Sequence, residues 1–456
     1  MNESQYDTIV VGGGLSGLST AHFIRKFKPG AKILILEKQS STGGAIQTVQ
    51  SDGFLAEWGP HGFLDNVEES RELLADLGLT GTALKAPLRQ FLRYICLNGE
   101  LKAIPQTPPK IVTSNLLSIP SKIRLLFDLW KKPRLHEQSI ADWASFRFGK
   151  AALPFADIIL TGSYAGDIRK LSIDAAMPSL RRLELESGSV IRGAIKSQKA
   201  NQGSGMPSMV SFEGGMTCLI EQLEKDQTIV NNAEVQSISR QEDGWQIHTT
   251  QDSYSAKQVV VASHINQALQ LLTPLDQPPV DSVPEARIHN VVLGFEADTE
   301  IPTAFGFLVP REENRFVLGT LFTSRMFPQR APKGMQILEV LIGGTRNPDR
   351  LDLTDDELIA QSCKDLKELL PLKQAPVFQK VLRAQTGIPQ LEIGHNRFQA
   401  YKDRLQSNYQ GLYVCGFGWE GIGVNEMIKD ARFTAQSLVA GQPGTRKRAE
   451  IKGVYV

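Results

Sequence analysis

A glycine-rich turn near the start of the chain constrains its fold more than any other feature. The apolar run that ends at Val11 is followed by Gly12, Gly14 and Gly17, and a helical run begins directly after them. In this G-x-G-x-x-G spacing, the first glycine allows a tight turn, the second lets the backbone approach a pyrophosphate, and the third allows close helix–strand packing. We therefore predict an α/β fold with a doubly wound, Rossmann-like dinucleotide-binding domain.

A carboxylate follows the second predicted strand, at the place where such domains hold a ribose. This residue is Glu37, about 20 residues after the third glycine. Its carboxylate accepts hydrogen bonds from ribose hydroxyls and repels a 2′-phosphate, which disfavours NADP. The helix N-terminus presents free N–H groups and a positive dipole end to the phosphates. The predicted contacts in this region are Gly12, Gly14, Leu15, Ser16, Gly17, Glu37 and Lys38.

Two later segments favour FAD over NAD as the cofactor. Gly43 and Gly44 form a second close-approach pair soon after the ribose-binding acid. Towards the other end of the chain, an apolar run closes on Gly416, and a new helix begins near Val424 and Asn425. The N–H groups of that helix would face the pyrimidine edge of a flavin, which carries negative charge when reduced. We therefore expect the two ends of the chain to build one FAD site.

Charge and cysteine content exclude several classes of protein. Lys and Arg number 50 against 49 Asp and Glu, so no overall field attracts nucleic acid and no such partner is expected. The four cysteines are too widely separated for a zinc site, so no metal is expected, and they fit a reducing compartment. The uncharged stretch 8–24 contains four glycines and follows acidic residues, unlike a signal peptide. We expect a cytoplasmic protein without a signal or transit peptide.

Several longer segments resemble the oxygen-dependent protoporphyrinogen oxidases, which belong to the larger group of flavin-containing amine oxidases. The glycine motifs are shared across that group and indicate only a flavoprotein. The segments Tyr164–Asp167 and Met326–Pro332 are much more specific to the porphyrinogen branch. The segments that carry the resemblance are 43–49, 53–60, 160–172, 319–332, 388–395 and 418–425.

The resemblance implies an activity and a set of site residues. FAD would oxidise a porphyrinogen to a porphyrin in three two-electron steps, with O₂ reduced to H₂O₂ after each. Arg93 would pair with a substrate propionate, Phe327 would stack on a pyrrole ring, Leu308 would approach the macrocycle, and Gly166 would leave room at the reacting carbon. A surface charge for Arg93, and core positions for Leu308 and Phe327, are the alternatives. Further expected cofactor contacts are Gly59, Pro60, His61, Gly62 and Val235.

No residue is assigned as a general acid or base. A methylene bridge can give a hydride to a flavin once the two are held in contact, so positioning dominates. His61 is interpreted as a hydrogen-bonded structural histidine rather than a base, and Glu420 and Asn425 as orienting groups. The family often has Lys or Arg where this chain has Ala45, so one FAD contact of the family is missing.

The segment 101–135 is predicted to contact a membrane surface. It carries seven basic residues and one acid, a local excess in a nearly neutral chain. Ile123, Phe127 and Trp130 fall on one face of a predicted helix, as in an interfacial amphipathic helix. Burial of this face against a neighbouring helix is the alternative. We expect peripheral attachment to the cytoplasmic face of the membrane, and the sequence leaves the oligomeric state open, with a homodimer among the options.

The predicted architecture is an FAD-binding domain with an inserted mixed-sheet substrate domain and a helical, membrane-associating insertion. The FAD-binding domain is assigned to 1–88, 206–285 and 405–456, the helical insertion to 95–190, and the substrate domain to 89–94, 191–205 and 286–404. The substrate is expected between the mixed sheet and the flavin. Protoporphyrinogen IX is the favoured substrate. The alternatives are coproporphyrinogen III, a non-catalytic flavin-bound porphyrin carrier and, least favoured, amine oxidation.

Overall fold

The computed structural model describes residues 6–105, 113–200 and 207–442. The basic residue Lys110 of the predicted membrane segment and the tail 446–456 lie outside these ranges. No helix within them combines the length and the apolar composition needed to cross a bilayer.

A seven-stranded sheet lies at the centre of the first domain. Its central strands are short runs of Val, Ile and Leu that are buried on both faces, as parallel strands covered by helices require. Tyr6–Val11 pairs in parallel with Ile33–Leu36 on one side and with Ser253–Val261 on the other. Only Val235–Gln241 and Gly244–Thr249 run antiparallel to their neighbours. The strands in order are Ile229–Val230, Ile33–Leu36, Tyr6–Val11, Ser253–Val261, Gly244–Thr249 and Val235–Gln241, with Leu412–Val414 beside Ser253–Val261.

Helices cover both faces of this sheet. Leu15–Phe27 and Val424–Val439 pack against each other on one face, and their apolar residues share one core. Ile265–Leu272 and Asn396–Asn408 contribute to the core on the other face. Glu68–Asp76 and Thr217–Glu224 complete the first face. The predicted doubly wound α/β fold is confirmed, and its last part begins near residue 396 rather than 405.

A second, mixed sheet of seven strands forms the next unit, hereafter the mixed sheet. Helix Asp355–Leu369 packs on it through Leu358 and Leu366. The sequence places a domain boundary at residues 94 and 95, but the hairpin 92–103 continues this sheet. The strands in order are Phe378–Leu382, Ile288–Glu296, Met335–Gly343, Gly319–Leu321, Ala304–Leu308, Leu92–Leu97 and Glu100–Ala103.

Helices form a third unit, hereafter the helical unit. Its members are Ile119–Leu126, Ile140–Phe148, Leu153–Tyr164, Ile173–Ala176, Pro178–Ser187 and Val190–Ala200. The last of these packs on Pro178–Ser187, so it belongs here rather than to the mixed-sheet domain. A buried ionic cluster ties the unit together, because Arg147 pairs with both Asp128 and Glu184 and none of the three is exposed.

Short strand pairs join these units. Phe63–Leu64 and Leu84–Pro87 pair on either side of Ser208–Ser211, and Thr48–Ser51 pairs with Phe54–Glu57. Glu285–Ala286 pairs with Ile388–Pro389. Ala165, which follows the helix Leu153–Tyr164, shares a core cluster with Ala286 and Leu318, so the helical unit and the mixed sheet are in contact.

Candidate functional site

The first glycine turn has the geometry that pyrophosphate binding requires. Gly12 has a φ of 108°, which favours glycine, and a methyl group on Gly17 would collide with the carbonyl oxygen of Gly12. Gly14 is different, because a methyl group there would meet nothing closer than the Cα of Gly44, at 3.8 Å. Two of the glycines therefore shape the turn, and the middle one, at the start of helix Leu15–Phe27, is the least crowded of the three.

Glu37 lies at the end of its strand, beside this turn. Its Oε2 accepts a hydrogen bond from the N–H of Gly13 at 2.7 Å, and its Oε1 accepts from the N–H of Gln39 at 2.8 Å. Lys38 is exposed. The N–H of Ala233 donates to the carbonyl of Glu37 at 2.9 Å, which brings the start of strand Val235–Gln241 to the same place. The predicted ribose-side residues, including Val235, are thus neighbours.

Two glycine loops face each other next to the turn. The N–H of Gly43 donates to the carbonyl of Gly13 at 2.9 Å, and Gly44 is exposed with a φ of 59°. A methyl group on Gly59 would collide with the carbonyl oxygen of Ala45. The predicted second glycine pair and the loop that holds Pro60, His61 and Gly62 therefore line one recess beside the phosphate turn.

The far end of the chain returns to this recess. Gly416 has a φ of 121°, and a methyl group on it would lie 2.6 Å from the carbonyl oxygen of Ser263. Helix Val424–Val439 begins after Gly423. The side chain of Asn425 donates to the carbonyl of Leu64 at 3.0 Å and accepts from Ser70 at 2.6 Å. Asn425 thus fixes the helix start with its side chain, while the first N–H groups of the helix have no intrahelical partner.

Comparison with known proteins identifies what this constellation binds. Residues 15–439 match the model of the family described as flavin containing amine oxidoreductase. The chain belongs to that family. Its cofactor is FAD, and the protein is a flavin-dependent oxidoreductase. Bound FAD supplies a two-electron acceptor, and the open position at Gly14, the acid at Glu37 and the helix start at Val424 fit its pyrophosphate, ribose and pyrimidine edge.

Individual relatives agree with the family assignment over nearly the whole chain. The coproporphyrinogen III oxidase of Bacillus subtilis is 26% identical, and the match covers 95% of this chain and 97% of the relative. The mitochondrial protoporphyrinogen oxidase of Nicotiana tabacum is 28% identical, with 94% of each covered. Among solved structures, one from Exiguobacterium sp. 255-15 has a TM-score of 0.82 at 22% identity, covering 97% of this chain and all of that one. Cyclohexylamine oxidase from Brevibacterium oxydans has a TM-score of 0.71 at 16% identity, covering 96% and 99%.

A buried charge cluster lies behind His61 in this flavoenzyme. The Nε2 atom of His61 is 2.9 Å from Oε2 of Glu339 on the mixed sheet. Arg330 pairs with Glu57 at 3.0 Å and lies 3.9 Å from Glu339. Burial opposes ionisation of Glu339, but His61, Arg330 and the amide of Asn290 outweigh it and lower its pKa to about 2. His61 therefore has a structural partner, as its interpretation as a hydrogen-bonded histidine predicts.

The sequence singled out none of the three other charged members of this cluster. Glu57 and Arg330 lie inside the segments that carry the family resemblance, but nothing in those segments indicates that the two residues form an ion pair. Glu339 lies within an apolar strand run, where a single acid is an unusual residue. A lone acid within an apolar strand is the sequence feature that could have indicated a role for Glu339.

Arg93 is a half-buried cation on strand Leu92–Leu97. Its guanidinium carbon lies 5.4 Å from the ring centre of Phe305. Desolvation by the surrounding protein lowers its pKa, and no acidic side chain of the described residues pairs with it. A cation that has lost part of its hydration without gaining a protein counter-charge is suited to bind an anionic ligand.

The three other predicted substrate residues have different surroundings. Leu308 lies beside Gly162 of the helical unit and Gly319 of the mixed sheet, so it joins the two units. The space that Gly166 leaves is occupied by the side-chain amide oxygen of Gln390. Phe327 is 2% exposed, packs in a core cluster and offers no ring face to a ligand here, which agrees with the alternative core interpretation.

Proposed function

We propose that this protein is an FAD-dependent oxidase that converts protoporphyrinogen IX to protoporphyrin IX in haem biosynthesis. Three hydride transfers from substrate to the cofactor would each be followed by reduction of O₂ to H₂O₂. The observation that carries the proposal is Arg93, a desolvated cation without an acidic partner among the described residues. It lies on the mixed sheet, which borders the recess through His61 and Glu339. The names of the curated relatives support the same reaction class.

The surroundings of Arg93 favour the substrate with fewer carboxylates. Its neighbours Phe91, Leu92 and Phe305 are apolar. Protoporphyrinogen IX has two propionates and apolar vinyl groups, whereas coproporphyrinogen III has two further propionates that would need cationic or open polar surface. Coproporphyrinogen III remains the second candidate, because the Bacillus subtilis relative and a Staphylococcus aureus relative, 27% identical over 94% of this chain, are named for it.

An anaerobic mixing experiment tests this proposal. The purified yellow protein is mixed with protoporphyrinogen IX, and separately with coproporphyrinogen III, while flavin absorbance is followed. We expect prompt bleaching, faster with protoporphyrinogen IX, and then porphyrin fluorescence and peroxide when air is admitted. Faster bleaching with coproporphyrinogen III would reverse the substrate assignment. A flavin that stays yellow with both would contradict porphyrinogen oxidation and favour a porphyrin carrier or an amine oxidase.

We also propose that the protein attaches to a membrane from its cytoplasmic face, through an apolar ridge on the helical unit. The ridge consists of Ile119, Ile123, Leu126, Phe127, Trp130 and Leu135, which are between 52% and 87% exposed. Helix Ile119–Leu126 has no buried residue among the described parts of the chain, which supports this proposal over burial against a neighbouring helix. A contiguous exposed apolar surface of this kind is typical of an interfacial contact.

Two of the basic residues beside the ridge, Arg124 and Lys131, have internal partners. Arg124 donates to the carbonyls of Arg147 at 3.0 Å and Phe146 at 2.9 Å, and Lys131 also donates to Phe146. These carbonyls are at the C-terminal end of helix Ile140–Phe148, where cations are stabilising. Apolar contact, rather than attraction to anionic lipid, is therefore the expected source of membrane affinity.

A further inference from the structure

Glu426 occupies the start of helix Val424–Val439, whose N-terminus is expected to face the pyrimidine edge of the flavin. It is the third residue of helix Val424–Val439, after the N-cap Gly423. A methyl group on Gly423 would collide with Oε2 of Glu426, and one on Gly421 would lie 3.0 Å from its Cγ. The side chain therefore folds back across the N-terminus of its own helix, over a backbone that glycine keeps clear.

The side chain of Glu426 faces an interior recess. It is exposed, yet desolvation by the surrounding protein raises its pKa. A group that is accessible and desolvated at once lies in a recess rather than on the outer surface. Tyr164, the last residue of helix Leu153–Tyr164, is within electrostatic reach from the opposite side. Glu426 thus lies where the first domain and the helical unit meet around the cofactor.

Two negative charges compete for this position. The N-terminus of a helix stabilises one nearby anion, and the pyrimidine edge of a reduced flavin is such an anion. An ionised Glu426 places a second anion at the same helix end. Like charges at short range disfavour each other's ionised forms, so reduction of the cofactor and protonation of Glu426 are coupled.

Among the described residues, Lys429 and Tyr164 are the titratable groups shown to interact with this carboxyl. Lys429, one turn further along the same helix, favours its ionised form. Burial raises the pKa of the Tyr164 hydroxyl, so Tyr164 stays neutral over the working range of pH. A proton taken up at this site therefore goes to Glu426.

We propose that Glu426 takes up one proton when the FAD is reduced and gives it back when the FAD is reoxidised. The source of the proton rests on the proposed function. In each round a porphyrinogen loses a hydride from a methylene bridge and one proton, and the carboxylate of Glu426 accepts that proton. Over the three rounds two of these protons come from pyrrole nitrogens and one comes from the remaining methylene bridge. When O₂ is reduced to H₂O₂, it receives two electrons and one proton as the returned hydride, and the second proton comes from Glu426.

The test is a redox titration of the holoprotein without substrate. The midpoint potential of the bound FAD is measured by spectroelectrochemistry from about pH 5 to about pH 9 for the wild type, for Glu426→Gln and for Glu242→Gln, which removes an exposed acid in a distant hairpin. Over part of this range the wild-type potential should fall about twice as steeply with pH as that of Glu426→Gln, because reduction binds two protons instead of one.

Above the pH range of the steep slope, the variants should also differ in the midpoint potential itself. There the wild-type carboxylate disfavours the reduced cofactor by about tenfold or more, so Glu426→Gln should have a potential about 30 mV or more higher. Glu242→Gln should follow the wild type throughout. If the wild type and Glu426→Gln show equal slopes and equal potentials at every pH, the proposal is wrong.

A second variant is measured in case Glu426→Gln does not retain FAD. Glu426→Asp keeps an ionisable group and should show the steep region at a displaced pH, whereas a wild type with no steep region would itself contradict the proposal. The result is separable from the proposed function because no substrate is present. The wild type could keep the steep pH dependence of its midpoint potential and yet not be bleached by either porphyrinogen. That result would contradict the proposed substrate but not the proton coupling at Glu426.

Discussion

Arg93 is the side chain on which the proposed binding of the substrate propionate depends. Arg93→Ala should raise KM for protoporphyrinogen IX about tenfold or more, since a hydrogen bond to a charged group contributes ~1.5–3 kcal/mol. The flavin content of the purified variant should not change. Steady-state kinetics on both porphyrinogens measure the effect. Arg89→Ala, which removes a nearby exposed arginine, should leave KM unaltered. Unchanged KM and unchanged substrate preference in Arg93→Ala would show that the propionate binds elsewhere.

Glu339 should make the stability of the protein depend on pH in acid. Its pKa is lowered from 4.5 to about 2 in the folded protein, so its contribution is complete above about pH 4.5 and is lost as the pH falls towards 2. The contribution is on the order of 3 kcal/mol. Thermal unfolding between about pH 2 and 7 should show that Glu339→Gln lowers the Tm at neutral pH and that this deficit shrinks on acidification.

Glu57 supplies the control for this experiment. Burial is the main influence on this carboxyl and raises its pKa, so folding disfavours its ionised form relative to the unfolded chain. The deficit of Glu57→Gln should therefore grow on acidification, opposite to that of Glu339→Gln. A deficit of constant size for Glu339→Gln would mean that Glu339 does not depend on its ionic partners.

The apolar ridge is a property of a whole segment rather than of one residue. Helix Ile119–Leu126 is stabilised by the Ser118 N-cap, so its apolar side chains are held in fixed, exposed positions. The double variant Ile123→Ser, Trp130→Ser should bind vesicles of neutral phosphatidylcholine at least about tenfold more weakly than the wild type, since each buried side chain contributes ~1.5–3 kcal/mol. Co-sedimentation at several lipid concentrations measures this.

A matched control lies on the same unit. Leu185→Ser removes an exposed leucine from helix Pro178–Ser187, outside the ridge, and should bind vesicles like the wild type. Equal binding by the double variant, or no binding by the wild type, would show that the ridge does not contact lipid in this way. Stronger binding to anionic than to neutral vesicles would assign a role to the basic residues after all.

Sequence patterns predict well those elements whose structure depends on near neighbours. The strand, glycine turn, helix and second strand of residues 6–37 are correctly placed, because contacts such as that of Gly17 with Gly12 lie within the same short unit. The hairpin 92–103 was divided between two domains, because a hairpin does not reveal which sheet it will join. The pairing of His61 with Glu339 spans 278 residues and depends on that same long-range assembly.

The whole molecule is organised so that the cofactor recess is shared by segments from both ends of the chain. The sequence predicts this arrangement correctly because each end carries its own glycine motif. It does not predict which side chains of the helical unit approach this region, such as Tyr164, which lies within electrostatic reach of Glu426. Those residues reach the site only through the packing of the helical unit, which no local pattern encodes.

The pairing of Tyr6–Val11 with Ser253–Val261, and of that strand with Leu412–Val414, also has a consequence for biosynthesis. At about 5–20 residues per second, a ribosome needs roughly 20 to 80 s between the first glycine turn and helix Val424–Val439. FAD is therefore captured only after nearly all of the chain has emerged. Until residues 229–261 have emerged, the two earliest apolar strands have no partner on one side, which makes the nascent chain a client for chaperones during the first part of that interval.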